Sequence, residues 1–307
     1  MAVGSTRAIW HPASDVVLTE FLQQLVSGAA AGCVYAMVAL GFVLIFKATG
    51  IVNFAQGELM MVGAFFGLTC VDIFHLPYWI GALLAVAAMA VFGIVLNRVL
   101  LRPLAGQSTL AIIMVTLGMS ILLRASASVI WGPETVAFDS PFSRKSVTLA
   151  GLVLSQEHVA IIVATSLLVA GLFAFFRFTR IGIAMQATSE NQLAAYYMGI
   201  PVRSIHALTW GIGAATAGVA GIMLAPVAFV HVNMGYLGLK AFPAAVLGGF
   251  GSIPGAIVGG LIIGIAESLA VLYLPEGFNN VAAYILLLLV LTLRPEGLFG
   301  VHTARRV

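Results

Sequence analysis

The sequence predicts an all-α, polytopic membrane bundle of about nine spans, eight to ten counting both ways of reading one broken region. Three observations carry that expectation. Of 307 residues, 61% are hydrophobic and only 8% are charged, where a soluble domain carries about 25% charged residues to wet its surface. The apolar residues fall in long runs, and a bilayer crossing takes roughly 20 of them. Cations collect at alternate ends of those runs, as topology-setting Lys and Arg do.

The runs follow one another along the chain. They cover 21–46, then 54–71 with Glu58 near its start, 79–96, and 103–130 with Arg124 late in it. Next come 159–176, 204–230, a Gly-rich stretch over 237–274, and 278–293. The stretch 237–274 is too long for one crossing. Pro243, Pro254 and the run Gly248-Gly249-Phe250-Gly251-Ser252 break it, so it reads as two passages joined by a tight turn, one of them short or irregular. Residues 1–17 form an extramembrane N-terminal segment, 18–300 the membrane domain, and 301–307 a tail. No cleavable signal is expected, because Arg7 is the one clear early cation and the short apolar run after it is interrupted by Thr19 and Glu20.

Orientation follows from charge. Lys47, Arg98, Arg102, Arg177, Arg180, Arg203, Arg294, Arg305 and Arg306 fall at one set of run ends, and Arg7, Arg144 and Lys145 at the other. The positive-inside rule puts the first set in the cytoplasm. The N-terminus is then outside and the C-terminus inside. Pairs of small residues four apart (Gly28 and Gly32, Gly213, Ala217 and Gly221, Gly255 and Gly259, Gly260 and Gly264) mark close helix packing. Packing within one chain is the favoured expectation, packing against a second subunit the alternative.

No catalytic or metal constellation stands out. Cys33 and Cys70 read as small apolar residues, the six histidines are scattered, and there is no GxxxxGK[ST], GxSxG, HExxH or CxxC. The mild net charge of +3 is explained by topology, so no nucleic-acid partner is expected. Three segments do carry polar chemistry in an apolar chain. Asn53, Gln56 and Glu58 open the second run, where Asn53 could cap a helix and Glu58 would suit its dipole, or where all three frame a translocation path. Lys240 and Glu267 are ionisable residues inside the broken stretch that could pair with each other, with a snorkelling boundary position as the alternative for Lys240, and intramembrane charges are functional candidates by default. Arg124 reads as a snorkelling residue near the end of its run. The loop 177–203 holds helix formers between Gly182 and Gly199, and reads as a short surface helix along the membrane face.

Several of these segments are similar to one known family. The run Gly41-Phe42-Val43-Leu44-Ile45-Phe46-Lys47-Ala48-Thr49-Gly50-Ile51-Val52-Asn53-Phe54-Ala55-Gln56-Gly57-Glu58 resembles the signature of membrane subunits of branched-chain amino-acid ABC importers, the LivH type. So do Lys240-Ala241-Phe242-Pro243-Ala244-Ala245-Val246-Leu247-Gly248-Gly249-Phe250-Gly251-Ser252-Ile253-Pro254-Gly255-Ala256, continuing through Gly259-Gly260 to Ala266-Glu267, and the ending Arg294-Pro295-Glu296-Gly297-Leu298-Phe299-Gly300.

The resemblance implies a bacterial inner-membrane permease subunit that is not itself an enzyme. Its implied partners are a LivM-like second permease, two cytoplasmic ABC ATPases that use ATP and Mg, a periplasmic binding protein, and the lipid bilayer. No cofactor is implied for the chain itself. The implied mechanism is alternating access, with Gly182, Ala187, Glu190, Asn191, Ala194 and Gly199 on the ATPase-contacting loop. Gln186 stands where relatives often carry Arg. Asn53, Gln56, Glu58, Lys240 and Glu267 are the path or gate candidates. The cargo is branched-chain or related amino acids, with urea, short amides or aromatic acids as alternatives on the same machinery. A stand-alone secondary transporter is a third alternative, and would show paired broken helices in the two halves of the chain. The sequence offers one broken region and no mate for it.

Overall fold

A computed structural model describes residues 13–300, apart from 105, 144–145, 150–151 and 276. Arg7, Arg144, Lys145, Arg305 and Arg306, which entered the charge argument, lie outside the described residues, as do residues 1–12 and the tail 301–307. The architecture is an α-helical bundle with one β-hairpin.

Its helices are α1 (Ala13–Thr49), α2 (Gln56–Leu68), α3 (Tyr78–Leu96), α4 (Thr109–Trp131), α5 (Gln156–Phe178), α6 (Arg180–Glu190) and α7 (Gln192–Tyr197). They continue with α8 (Val202–Ala228), α9 (Gly235–Leu239), α10 (Ala241–Gly248), α11 (Ile253–Tyr273) and α12 (Phe278–Leu293). Strands β1 (Ser146–Leu149) and β2 (Leu152–Ser155) pair antiparallel in the α4–α5 connection. The expected segment 1–17 does not end where α1 begins, because the helix is already formed at Ala13.

Long-range contacts sort the connections into two ends. One end gathers Ala48, Arg98, Arg102, Gln192, Arg203, Phe250 and Leu298: Gln192 reaches Ala48, Phe46 meets Phe250, and Leu298 bonds Leu247. The other gathers the Trp131–Thr69 bond, the Val136–Val230 bridge and the Tyr78–Phe138 contact. The chain runs between these ends nine times, by α1, α2, α3, α4, α5, α8, the α9–α10 pair, α11 and α12. Among the described residues seven stretches are individually long and apolar enough to cross a membrane. The other two passages are α12, which is a shorter apolar helix, and α9–α10.

The broken stretch is two passages joined by a tight turn, one of them short and irregular, as expected, and it begins slightly earlier, at Gly235. Pro243 has no N–H to donate to Leu239, so a helix entering from α9 cannot continue regularly, and α10 restarts at Ala241. Gly249, at φ +94°, then turns the chain into α11, which Ser252 caps by accepting from the Gly255 N–H at 3.1 Å. The first half also contains an irregular passage that the run 54–71 concealed. Residues 51–55 re-enter the bundle without helix, and α2 starts deep inside, level with Gly41 of α1 and Gly213 of α8. The two irregular passages touch, with Gly57 of α2 against Gly235 and Gly238 of α9.

The core is α1, α2, α8, α10 and α11. Residues 33–45 of α1 are buried throughout, and its main neighbour is α11. A methyl group at Gly32 would sit 2.8 Å from the Gly260 carbonyl, and one at Gly264 would collide with the Gly32 backbone. Gly63 meets Gly218, and Gly221 meets the Met60 carbonyl. The small-residue pairs therefore close the chain on itself, letting helix backbones approach as lipid-immersed interfaces require. By contrast α3, α4, α5 and α12 expose large apolar side chains such as Leu83, Ile121, Leu167 and Leu288. They form the periphery, where lipid or another subunit replaces water.

Candidate functional site

Asn53 and Gln56 are fully buried, and Glu58 is 2% exposed. A non-helical backbone at this depth must find its hydrogen-bond partners inside the protein, and the side chains supply them. Asn53 Oδ1 accepts from the Ala55 N–H at 3.1 Å, while its Nδ2 donates to Gln56 Oε1 at 3.2 Å. Gln56 Nε2 donates to the Gly213 carbonyl at 2.9 Å, which also accepts from Thr216 Oγ1. Asn53 is not the helix cap that the sequence suggested: Ala55 holds that position, and Asn53 braces the turn ahead of it. The amide of Gln56 fills the space a side chain at Gly41 would take.

Glu58 does more than meet the helix dipole. It forms an ion pair with Arg124 of α4 and lies against Gly235 of α9. The Arg124 guanidinium stacks over the Tyr236 ring, 4.0 Å from its centroid. Arg124 is thus an inward partner of a buried carboxylate, and the snorkelling expectation fails. On the other side of α9, Lys240 Nζ lies 3.1 Å from Glu267 Oε1. The Tyr35 hydroxyl donates to Glu267 Oε2 at 2.6 Å. Tyr236 lies at the start of α9 and Lys240 just past its last residue, so α9 is held at its two ends by contacts that reach α2 and α4 at one and α11 and α1 at the other.

The structure thus gathers Asn53, Gln56, Glu58, Lys240 and Glu267 around one short helix. It adds Arg124, which the sequence read as snorkelling, and Tyr236 and Tyr35, which it did not single out. For Arg124 a signal existed, since it is as much an intramembrane charge as Glu267. Tyr35 and Tyr236 carry no signal apart from their contacts.

The second constellation lies at the arginine-rich end. The loop expected as one short helix is two, α6 and α7, broken at Asn191. Thr179 caps α6 by accepting from the Gly182 N–H at 3.0 Å, and Asn191 Oδ1 caps α7 by accepting from the Ala194 N–H at 2.9 Å. Gly182 presses on the Phe175 and Phe176 backbone, and Gly199 takes φ +81° to turn the chain toward α8. Met185, Thr188 and Ala195 are buried and anchor the loop. Glu190, Asn191 and Ala194 are exposed, Ala187 is half-buried. Beside them Leu193, Tyr196, Tyr197 and Met198 stand out at 63%, 66%, 76% and 83% exposure. No buried use accounts for this apolar knob. Among the described residues no group of His, Cys, Asp and Glu is placed to hold a metal.

The family model described as "Branched-chain amino acid transport system / permease component" matches residues 24–293. The permease protein LivH of Escherichia coli K12 is 36% identical over 295 residues, covering 91% of this chain and 96% of that one. BraD of Pseudomonas aeruginosa is 35% identical over 92% of this chain and 96% of its own. LivM of Escherichia coli K12, named a permease of the same kind of system, is 27% identical over 86% of this chain and 67% of its own. A match over nearly the whole bundle, from α1 to α12, settles the kinship: the chain belongs to the permease-component family of branched-chain amino-acid transport systems.

Proposed function

We propose that the chain is the translocating membrane subunit of an ATP-driven importer for branched-chain or related amino acids. A periplasmic binding protein delivers the cargo, two cytoplasmic ATPases supply the drive, and a LivM-like permease forms the other wall of the path. The chain sits in a bacterial inner membrane with its N-terminus periplasmic and C-terminus cytoplasmic, an orientation supported by Arg98, Arg102, Arg177, Arg180, Arg203 and Arg294 at one end.

The observation that carries this reading is the α6–α7 loop. Its capped, anchored frame holds Leu193, Tyr196, Tyr197 and Met198 out at the arginine-rich end, where a motor subunit would grip. The sequence has no P-loop of its own. The path is assigned to the side of α9 bearing Tyr236 and Arg124. Tyr236 is 55% exposed and the Arg124 side chain 26%. A guanidinium at membrane depth faces protein or water, not lipid, so this surface belongs to the path or to the second permease. A change in the ion pairs flanking α9 opens or closes it.

Reconstitution tests the reading. Proteoliposomes holding this chain, a LivM-like permease, the ATPases and the binding protein should take up radiolabelled leucine only with ATP. Uptake by the chain alone, without ATPase, would overturn it in favour of a secondary transporter.

A further inference from the structure

At the arginine-rich end an open cleft of about 840 Å³ lies between the segment after α3, helix α7 and the start of α8. Arg98, Arg102 and Arg203 line it, with no carboxylate in its wall. Among the described residues none of the three makes an ion pair. Three guanidinium groups facing one space repel each other unless an anion enters. Asn97, only 7% exposed, also lines the cleft, and its side-chain amide makes no hydrogen bond among the described residues. Its amide atoms are not sealed from solvent, so they face the open cleft and are free to bond a group that enters it. The 27-residue helix α8 starts in the same wall, and its first position, Pro201, provides no side-chain cap. The Val202, Ser204 and Ile205 N–H groups already donate to the Ile200 and Pro201 carbonyls, so what α8 adds to the same field is its positive dipole end.

We infer that this cleft binds the phosphate-bearing headgroup of an anionic phospholipid. Guanidinium forks match phosphate oxygens in pairs, and Asn97 completes the donor set from below. The position selects a lipid over a free ion. Arg98 and Arg102 continue directly from α3, where Val91, Val95 and Val99 are 60%, 45% and 63% exposed. An acyl chain lying along that apolar strip delivers its headgroup to the arginines. The volume also suits a headgroup, since sites for whole organic ligands span about 300–1,000 Å³. Basic pockets between helices at membrane level are lipid-headgroup sites by the same physics. Because Gln192 and Tyr196 of α7 form the far wall, the bound headgroup steadies the exposed loop. Leu193 and Tyr196 also belong to the knob assigned above to the motor, so the headgroup is placed behind their outward faces, toward Arg98, Arg102 and Arg203.

Native mass spectrometry of the full chain in mild detergent tests the site, with phosphatidylglycerol titrated against phosphatidylcholine of the same acyl chains. Phosphatidylglycerol should bind about tenfold tighter or more, and R98Q/R102Q/R203Q should abolish the preference. R177Q/R180Q, which changes two arginines outside the cleft, should keep it. Each single Arg→Gln variant should weaken the preference by about fivefold, at the usual contribution of one basic residue near an anionic surface, which keeps the test decisive if the triple variant does not fold. An undiminished preference in the variants overturns the proposal. So does equal binding of soluble glycerophosphoglycerol or inorganic phosphate, which would make the site one for free phosphates. Displacement of the lipid on adding ATPase subunits would also overturn it, by making the cleft a protein contact.

Discussion

Glu58 and Arg124 set the sharpest energetic condition on single residues. Both charges are withdrawn from water, Glu58 almost wholly, and each is tolerable only through the other. Removing one partner of a buried pair typically costs about 3–5 kcal/mol, because the remaining charge is left without compensation. Arg124→Met should therefore lower the melting temperature of the purified chain sharply and reduce its yield in the membrane. The double variant Glu58→Gln/Arg124→Met removes both charges and should recover most of that loss. If the two single changes simply add, measured by thermal unfolding in detergent, the residues do not act as a pair. Glu267 poses a finer question. Its two oxygens serve two partners, Lys240 and Tyr35. Glu267→Gln keeps an acceptor for the Tyr35 hydroxyl and drops the charge facing Lys240. It should preserve the assembled yield of Glu267→Ala or better it, while lowering leucine uptake several-fold. Native uptake in both variants would show that the charge on Glu267 has no part in transport.

Elements were legible in the sequence where one signal governed them. The long apolar runs give α3, α5 and α8 within a few residues and α4 at its C-terminal end, because a membrane-crossing helix must be apolar along most of its length. The small-residue pairs marked the α1–α11 seam for the same reason. Gly264→Val should consequently fail to pack, since the Gly32 backbone occupies the space and cannot yield as a side chain would. Overpacking a core commonly costs about 1–3 kcal/mol, and more where backbone is the obstacle. The check is a melting temperature several degrees below that of Ser268→Ala, a change on the same helix that adds no bulk. What hid from the sequence was irregular backbone in apolar surroundings. Residues 51–55 share the composition of a helix, and only Asn53 and Gln56, bonding to backbone groups, reveal that the helix starts late. The α9–α10 break was visible because Pro243 and the glycines announce it. The irregular passage ahead of α2 carries no proline, so the contact between Gly57 and α9 had to come from the fold. The α6–α7 loop was legible as a surface helical segment but not as a shape: Asn191, which splits it, is a cap residue whose role shows only when α7 is seen to begin there. Leu193→Ser/Tyr197→Ser should leave membrane insertion intact and weaken capture of the ATPase subunits by about tenfold, as loss of exposed aromatic anchors does at interfaces, with ATP hydrolysis no longer tied to uptake. Unchanged co-purification would move the docking surface elsewhere.

For the whole molecule, the proposed orientation rests on nine passages and the charges at their ends. An odd number of crossings would put the two termini on opposite sides, and the cations gathered near Arg98, Arg177, Arg203 and Arg294 would mark the cytoplasmic one. The parity depends on α9–α10 crossing as a unit: Val230 is tied to Val136 at one end of the bundle, while Phe250 meets Phe46 at the other. Were that passage a re-entrant loop returning to the side it left, α11 and α12 would exchange ends and Arg294 would part from the other arginines. Cysteine labelling separates the two. Cys33 is buried and Cys70 half-buried, so both are first replaced by Ala, and single cysteines are introduced at exposed Asp139, Glu190 and Glu296. In intact right-side-out spheroplasts a membrane-impermeant maleimide should label the Asp139 position at once, and the other two only after permeabilisation. Labelling of the Glu296 position without permeabilisation would reduce the crossings to an even number and remove α9–α10 as a full passage. It would leave no membrane-crossing element for the ion pairs at Arg124 and Glu267 to hold between them.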